Sequence, residues 1–415
     1  MVSLVCLMVF SVLIFTLGLT DTKFQYIIIL FSLPTIFIFG LIKEKTQSVS
    51  FKLNQWIDIL PALIFIVWLY GLILGLFNNN EPENVLRNFF GMSLYIVYYV
   101  FVIFSVSKKA LFKTIFLSSV INIFYSLIYF ISYWFLDGLS NQNIDYQGGM
   151  SAIYRSYYSI GLLIHLPLIS LILLYIFSDK KTCTLPFLKR RFTQITLLIL
   201  LVFSLVVTTA SKGFFLALVI LGFLLSLILS LRAVFSIKSH SGAVLFLITL
   251  LISIPVIISS TDLGDSISYS FSSSESSNSV RNIQREKILD EISVFGSGLG
   301  ATLKSGYKRD DSGYGFEVTY ENLFHKLGVL SLVVMFIFIL TCWMSSINIF
   351  KGKSLEYSVL SLGLMMYLIP SAGNPMLFSP IGVLMHCMAM YFLRPGNIND
   401  TTEKKFTVMF RYKNV

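Results

Sequence analysis

Apolar stretches long enough to cross a lipid bilayer recur along this whole chain. They fall at about 3–20, 24–42, 56–77, 89–106, 112–135, 156–177, 193–209, 213–231, 242–259, 326–349, 355–370 and 376–393. A hydrocarbon core about 30 Å thick is spanned by about 20 apolar residues in helical form. No water is present there to satisfy an open strand edge, so helices are the economical solution. The pattern predicts an all-α polytopic membrane protein with about 12 transmembrane helices. Composition agrees: 56% of residues are hydrophobic and 13% charged, which excludes an ordinary soluble domain. Residues 1–3 carry no charged n-region and no small-residue cleavage site follows. The first apolar run therefore reads as a retained helix rather than a cleaved signal.

The net charge of +10 invites a nucleic-acid reading, but its distribution points elsewhere. The polar interruptions alternate in character. "KEKTQSVSFK", "SKKALFK", "SDKKTCTLPFLKRR", "RAVFSIK", "KGK" and the tail from Arg394 hold 20 of the 31 basic residues. The intervening set holds only Lys23, Arg87, Arg155, Lys212 and Lys326 outside its one long loop. Positively charged short loops stay in the cytoplasm, which places both termini there and the other set outside. The long loop, about 260–325, carries ten acids and six bases. The basicity is thus a topology signal and not a face for polyanions, and no nucleic-acid partner is expected. The chain divides into helices 1–9 over 1–259, the outer loop over 260–325, helices 10–12 over 326–393, and a cytoplasmic tail over 394–415. The four cysteines suggest neither a disulfide framework nor a metal site.

The loop is long enough to hold short helices of its own. It opens with the Ser-rich "SYSFSSSESSNS". In "VRNIQREKILDEISVF", Val280, Ile283, Ile288, Ile292 and Phe295 recur at near-helical spacing, predicting a helix that "GSGLG" stops. On that helix Arg281 and Arg285 share a face at i and i+4, and no helical neighbour neutralises them. Either an anion sits between them, for which Arg's planar fork suits phosphate, or acids reach them from elsewhere in the fold.

Other candidates lie near helix ends on the same side. Lys212, in "TTASKGFFLALV", either snorkels to lipid phosphates or binds a lipid-linked one. Arg155 and Arg87 repeat that choice. In "TYENLFHKLG", Glu321 and His325 lie at i and i+4; they are an acid–base couple or the acid-rich first turn of a helix. There is no Walker-type loop, no HExxH and no G-x-S-x-G elbow. Within the spans His165, Glu356 and His386 stand out, and they form no obvious relay.

These pieces together resemble the family of O-antigen polymerases and O-antigen ligases, bacterial inner-membrane proteins that transfer lipid-linked glycans on the periplasmic face. Three segments carry the resemblance. "VTTASKGFFLAL" is similar to the family's T-x-S-R-G-like turn, with Lys212 where Arg is commoner. "RNIQREKILDEISVFGSGLG" is similar to its Arg–helix–Gly-x-Gly-x-Gly segment, and Arg285 is separated from Gly296 by ten residues, the R-x10-G spacing of polymerases. "YENLFHKLGVLSL" is similar to its polar pair before a Gly. Ligases put His-Asn seven residues before that Gly; here Glu321 and Asn322 occupy those positions, and His325 is out of register.

The resemblance implies a GT-C-like, metal-independent membrane glycosyltransferase without a cofactor. Its donor would be a glycan on undecaprenyl pyrophosphate, its setting the inner membrane with a periplasmic active site. Arg281, Arg285, Lys212, Arg155 and Tyr320 would bind the pyrophosphate and glycan; Glu321, Asn322 and Arg285 would serve catalysis; His325 and Arg87 rank below them. Membrane lipids and a chain-length regulator protein are the further partners implied. Glu at 321 favours a polymerase over a ligase. A lipid-linked oligosaccharide flippase fits less well, because the polar residues gather at the outer face and not in a central cavity.

Overall fold

The computed structural model describes residues 2–14, 28, 31–36, 38, 55–135, 159–177, 188, 190–209, 211–236, 272, 276–308 and 315–395. Every regular element among them is helical. Six helical segments are long and apolar enough to cross a membrane: Trp56–Phe77, Pro82–Ile103, Lys108–Ser132, Ile160–Phe177, Lys212–Arg232 and Thr319–Lys351. Shorter apolar helices cover Val2–Ile14, Arg191–Val207, Leu355–Ser371 and Pro380–Leu393. The expected span at 242–259, most of the one at 24–42, Arg155 and the tail beyond 395 lie outside the described residues.

We number the α-helices α1 (Val2–Ile14), α2 (Ile59–Phe77), α3 (Pro82–Ser93), α4 (Ile96–Ile103), α5 (Lys108–Phe135), α6 (His165–Phe177), α7 (Arg191–Val202), α8 (Lys212–Ser236), α9 (Ser276–Leu289), α10 (Thr319–Leu327), α11 (Ser331–Lys351), α12 (Leu355–Met365), α13 (Leu368–Ser371) and α14 (Pro380–Leu393). Local chemistry sets several of these ends. Proline opens α3 and α14, where a missing N–H costs nothing. The Ser379 hydroxyl accepts the Gly382 N–H at 3.1 Å to cap α14. Gly328, at φ +56°, separates α10 from α11.

The apolar sequence between these punctuation marks packs α6, α12 and α14 as the most enclosed part of the bundle. Along α14 every residue from Pro380 to Leu393 is buried. Within this interior the few polar side chains join helices locally. His386 of α14 hydrogen-bonds Tyr95 (2.6 Å) and Thr341 of α11 (3.1 Å). His165 of α6 meets Ser204 (3.2 Å), which meets Ser126 of α5 (2.6 Å). Glu356 of α12 accepts the Tyr175 hydroxyl at 2.6 Å. Such pairs bind helices where hydrophobicity alone gives lipid and protein equal claims. Ser204 lies in a π-helical turn, Phe203–Val207, that ends the α7 rod.

The two ends of the bundle differ. At the end where α2 begins, Arg394 grips the Asp58 carboxylate through Nε (2.9 Å) and Nη2 (3.2 Å). Tyr98 donates to the same carboxylate at 2.6 Å, and Lys108 donates to the Arg394 carbonyl at 2.6 Å. The other end, where α2 finishes and α8 and α10 start, receives α9 and the segments 290–308 and 315–318.

One sequence expectation needs correction here. The helix expected to run to Phe295 ends at Leu289. Glu291 has left the helix, and its carboxylate accepts the backbone N–H groups of Lys304 (2.7 Å) and Ser305 (2.9 Å). The buried face of α9 is Gln284 and Ile288, whereas Ile283, Ile292 and Phe295 stay exposed.

Candidate functional site

The site is built where α9 meets the start of α10. Arg281 and Arg285 are one turn apart on α9, whereas Glu321 lies in the first turn of α10 and Glu317 in the bend just before it. Arg285 Nε lies 2.6 Å from Glu321 Oε1, and Arg281 Nε lies 3.2 Å from Glu317 Oε2. The acids that balance the two arginines thus come from 36 residues further along the chain. Arg281 also donates to the Gly373 carbonyl (3.1 Å), and Arg285 to Asn282 Oδ1 (3.1 Å). Gln284, between the arginines, is fully buried and its amide oxygen accepts the Glu317 N–H at 3.0 Å. Its Nε2 has no partner among the described residues.

On α10 neighbouring positions face different ways. Glu321 turns to α9. Tyr320 donates to the Leu368 carbonyl of α13, and Thr319 donates to the Asn374 carbonyl at 2.9 Å. Asn322 is buried between Thr319 and Lys326 on the helix, and its Oδ1 has no partner among the described residues. Lys326, one turn further, donates to Asn88 Oδ1 of α3. Glu321 and Asn322, adjacent in sequence, therefore address two sides of the helix.

A glycine ribbon holds α10 in place. The expectation was that "GSGLG" stops the loop helix; it instead caps a different helix. Ser297 N–H donates to the His325 carbonyl (2.8 Å) and Gly298 N–H to the Lys326 carbonyl (2.9 Å), satisfying groups that a helix C-terminus leaves open. Leu299 N–H continues to the Gly71 carbonyl of α2 at 2.9 Å, and Leu299 itself is buried. Asn80 donates to the Ser297 and Leu299 carbonyls, both at 2.9 Å. Gly298 has φ +82°, and a Cβ there would collide with the backbone of Gly75. Glycine at 298 and 75 is what lets the two backbones touch.

The remaining candidates fall as follows. Lys212 opens α8, and Gly213 beside it is pressed on Pro370 of α13, the short helix whose Leu368 carbonyl accepts from Tyr320. His325 is buried, and its Nδ1 has no partner among the described residues. Arg87 pairs with Glu83 on the exposed face of α3. Glu291 holds the loop beyond α9: burial pushes its carboxyl up, but the Lys304 and Ser305 N–H groups outweigh that and leave it below its ordinary range.

Glu317, Gln284 and Gly373 were not singled out in the sequence. Gln284 had a signal: it sits one turn before Ile288, on the face that turns out to be buried. Gly373 contributes only its carbonyl, which no side chain announces. Among the described residues no group of three His, Cys, Asp or Glu side chains is placed to hold a metal ion. What the arrangement offers is guanidinium groups for an anion, a carboxylate able to take a proton, and buried amides nearby. No protein-family profile matches this chain, and no curated protein sequence matches it.

Proposed function

We propose that this protein is a polymerase of O-antigen or a related surface polysaccharide, working on the periplasmic face of the bacterial inner membrane. It would transfer the growing glycan from undecaprenyl pyrophosphate to the next lipid-linked repeat unit. The observation that carries the reading is the 2.6 Å contact between Arg285 and Glu321. It joins two of the three segments that carry the family resemblance, and it sets an anion binder beside a carboxylate at the start of a long apolar helix.

In the reaction, the acceptor hydroxyl oxygen bonds to the anomeric carbon while the bond from that carbon to the pyrophosphate oxygen breaks. The hydroxyl proton passes to Glu321. The charge growing on the leaving pyrophosphate is met by Arg285 and Arg281, with Lys212 on the neighbouring helix. In the resting protein Arg285 and Glu321 occupy each other. A partly exposed ion pair is worth about 0–1 kcal/mol, so a pyrophosphate that takes the guanidinium bidentately can displace the carboxylate and free it as a base.

Glu321→Gln in a strain that makes the glycan is the test. The expected product is core carrying a single repeat, with no long-chain ladder; a ladder of unchanged length overturns the role of Glu321. If instead the deletion strain shows core with no repeats and accumulates lipid-linked polymer, the protein is a ligase.

A further inference from the structure

The last residue of α9 and the chain after it expose apolar side chains that none of the described residues covers. Leu289, Ile292, Val294 and Phe295 are all exposed, Val294 to 68% and Phe295 to 72%. In a loop that merely projected into water this would be a costly arrangement. Their position explains it. The Val294 carbonyl accepts the Val329 N–H at 2.8 Å, and the Phe295 carbonyl accepts the Tyr70 hydroxyl at 2.8 Å. Segment 294–295 therefore bridges the outer ends of α2 and α11.

Both helices present an apolar stripe on that side. On α2 the exposed residues Ile66, Ile73 and Phe77 lie one turn or two from Tyr70. On α11 the exposed residues Leu332, Phe336, Ile339 and Trp343 recur every three or four positions. Stripes of this kind on helices long enough to cross a bilayer face lipid. Val294 and Phe295 continue those stripes across the gap between them.

Depth follows from the hydrogen bonds. Leu299 N–H reaches the Gly71 carbonyl, six residues before the end of α2 at Phe77. At 1.5 Å per residue the ribbon descends about 9 Å below that helix end. On the other flank Val329 lies in the 3-10 turn just before α11, whose 21 residues alone cover about 31 Å, the thickness of the hydrocarbon core. Tyr70, with its hydroxyl turned up to the Phe295 carbonyl, is the amphipathic residue typical of that boundary.

We propose that residues 289–295 form a membrane anchor, with Val294 and Phe295 inserted into the acyl-chain boundary of the leaflet at the α10 end of the bundle. The occupant of this surface is lipid. The anchor fixes α9, and with it Arg281 and Arg285, at the level of the lipid phosphates. The inference needs only that α2 and α11 span a bilayer, and it stands whether or not the protein is a glycosyltransferase.

The test is a spin label at Phe295→Cys in the full chain with its native cysteines replaced, reconstituted into phosphatidylcholine–phosphatidylglycerol vesicles. Collision with oxygen, which favours the bilayer, is compared with collision with a water-soluble nickel chelate. Leu332→Cys gives the lipid reference and the exposed Lys308→Cys the aqueous one. The expected oxygen-to-nickel ratio at 295 matches that at 332 and is severalfold above that at 308. A ratio matching 308 overturns the proposal, as does spin–spin broadening that shows a second copy covering the site. Should the Phe295→Cys chain fail to fold, Val294→Cys reports on the same boundary with the same two outcomes.

Discussion

Two ion pairs, one at each end of the bundle, show how the same chemistry serves different ends. The Asp58–Arg394 pair is almost closed to solvent, with side-chain exposures of 2% and 14%. Each Asp58 carboxylate oxygen accepts a guanidinium N–H, and Tyr98 donates as well. The Arg285–Glu321 pair is open, with exposures of 46% and 21%. A closed, fully partnered pair has nowhere to put a ligand and acts as a clamp joining the residue that leads into α2 to the end of α14. An open pair leaves polar atoms facing solvent, and a stronger anion can exchange into it.

The widest separation between the two is expected from Asp58→Ala. It strands the Arg394 guanidinium, and loss of one partner of a buried pair costs about 3–5 kcal/mol. Thermal unfolding in detergent should show a large drop in midpoint; a midpoint like that of the unaltered protein would break the comparison. Next is Gly298→Ala, which forces a methyl group into the Gly75 backbone. Overpacking of this kind costs about 1–3 kcal/mol, and it should shift α9 and abolish glycan elongation, read on the same unfolding assay and a glycan gel. Arg285→Ala should change stability by only about 0–1 kcal/mol yet remove elongation. An unaltered ladder would take Arg285 out of the site.

The smallest effect is a pH dependence. Because the Glu291 carboxyl titrates below its ordinary range in the fold, its contribution is complete above the unfolded-state value and fades as pH falls through the lower folded-state value. Amide exchange at Lys304 and Ser305 should therefore quicken, relative to the intrinsic rate, as the medium is acidified below the ordinary carboxylate range. Glu291→Gln should remove that dependence, and persistence of it would assign the effect to another group.

What was legible in the sequence was set by local rules. The span Trp56–Phe77 matches its apolar run because nothing but hydropathy defines it. The Arg281–Arg285 face could be read from helical spacing; Glu321 is singled out only through the family resemblance, by its place seven residues before Gly328. Their pairing could not be read, because the partner acids lie 36 residues away and only the fold brings them near. The glycine ribbon failed in the same way: glycine after an apolar helix is usually a stop, but here the carbonyls it caps belong to α10. The span expected at 355–370 breaks between Met365 and Leu368, where α12 gives way to α13. That break puts the Leu368 and Gly373 carbonyls within reach of Tyr320 and Arg281.

The two Arg–Glu pairs stand on unequal footing. Arg281 and Arg285 share α9, but of the two acids only Glu321 belongs to α10, and Glu317 sits in the bend that leads into it. They act as a two-point latch, one point set in a helix and the other in the stretch of chain before it. A ligand that inserts at Arg285 opens the first point and leaves α9 held at the second.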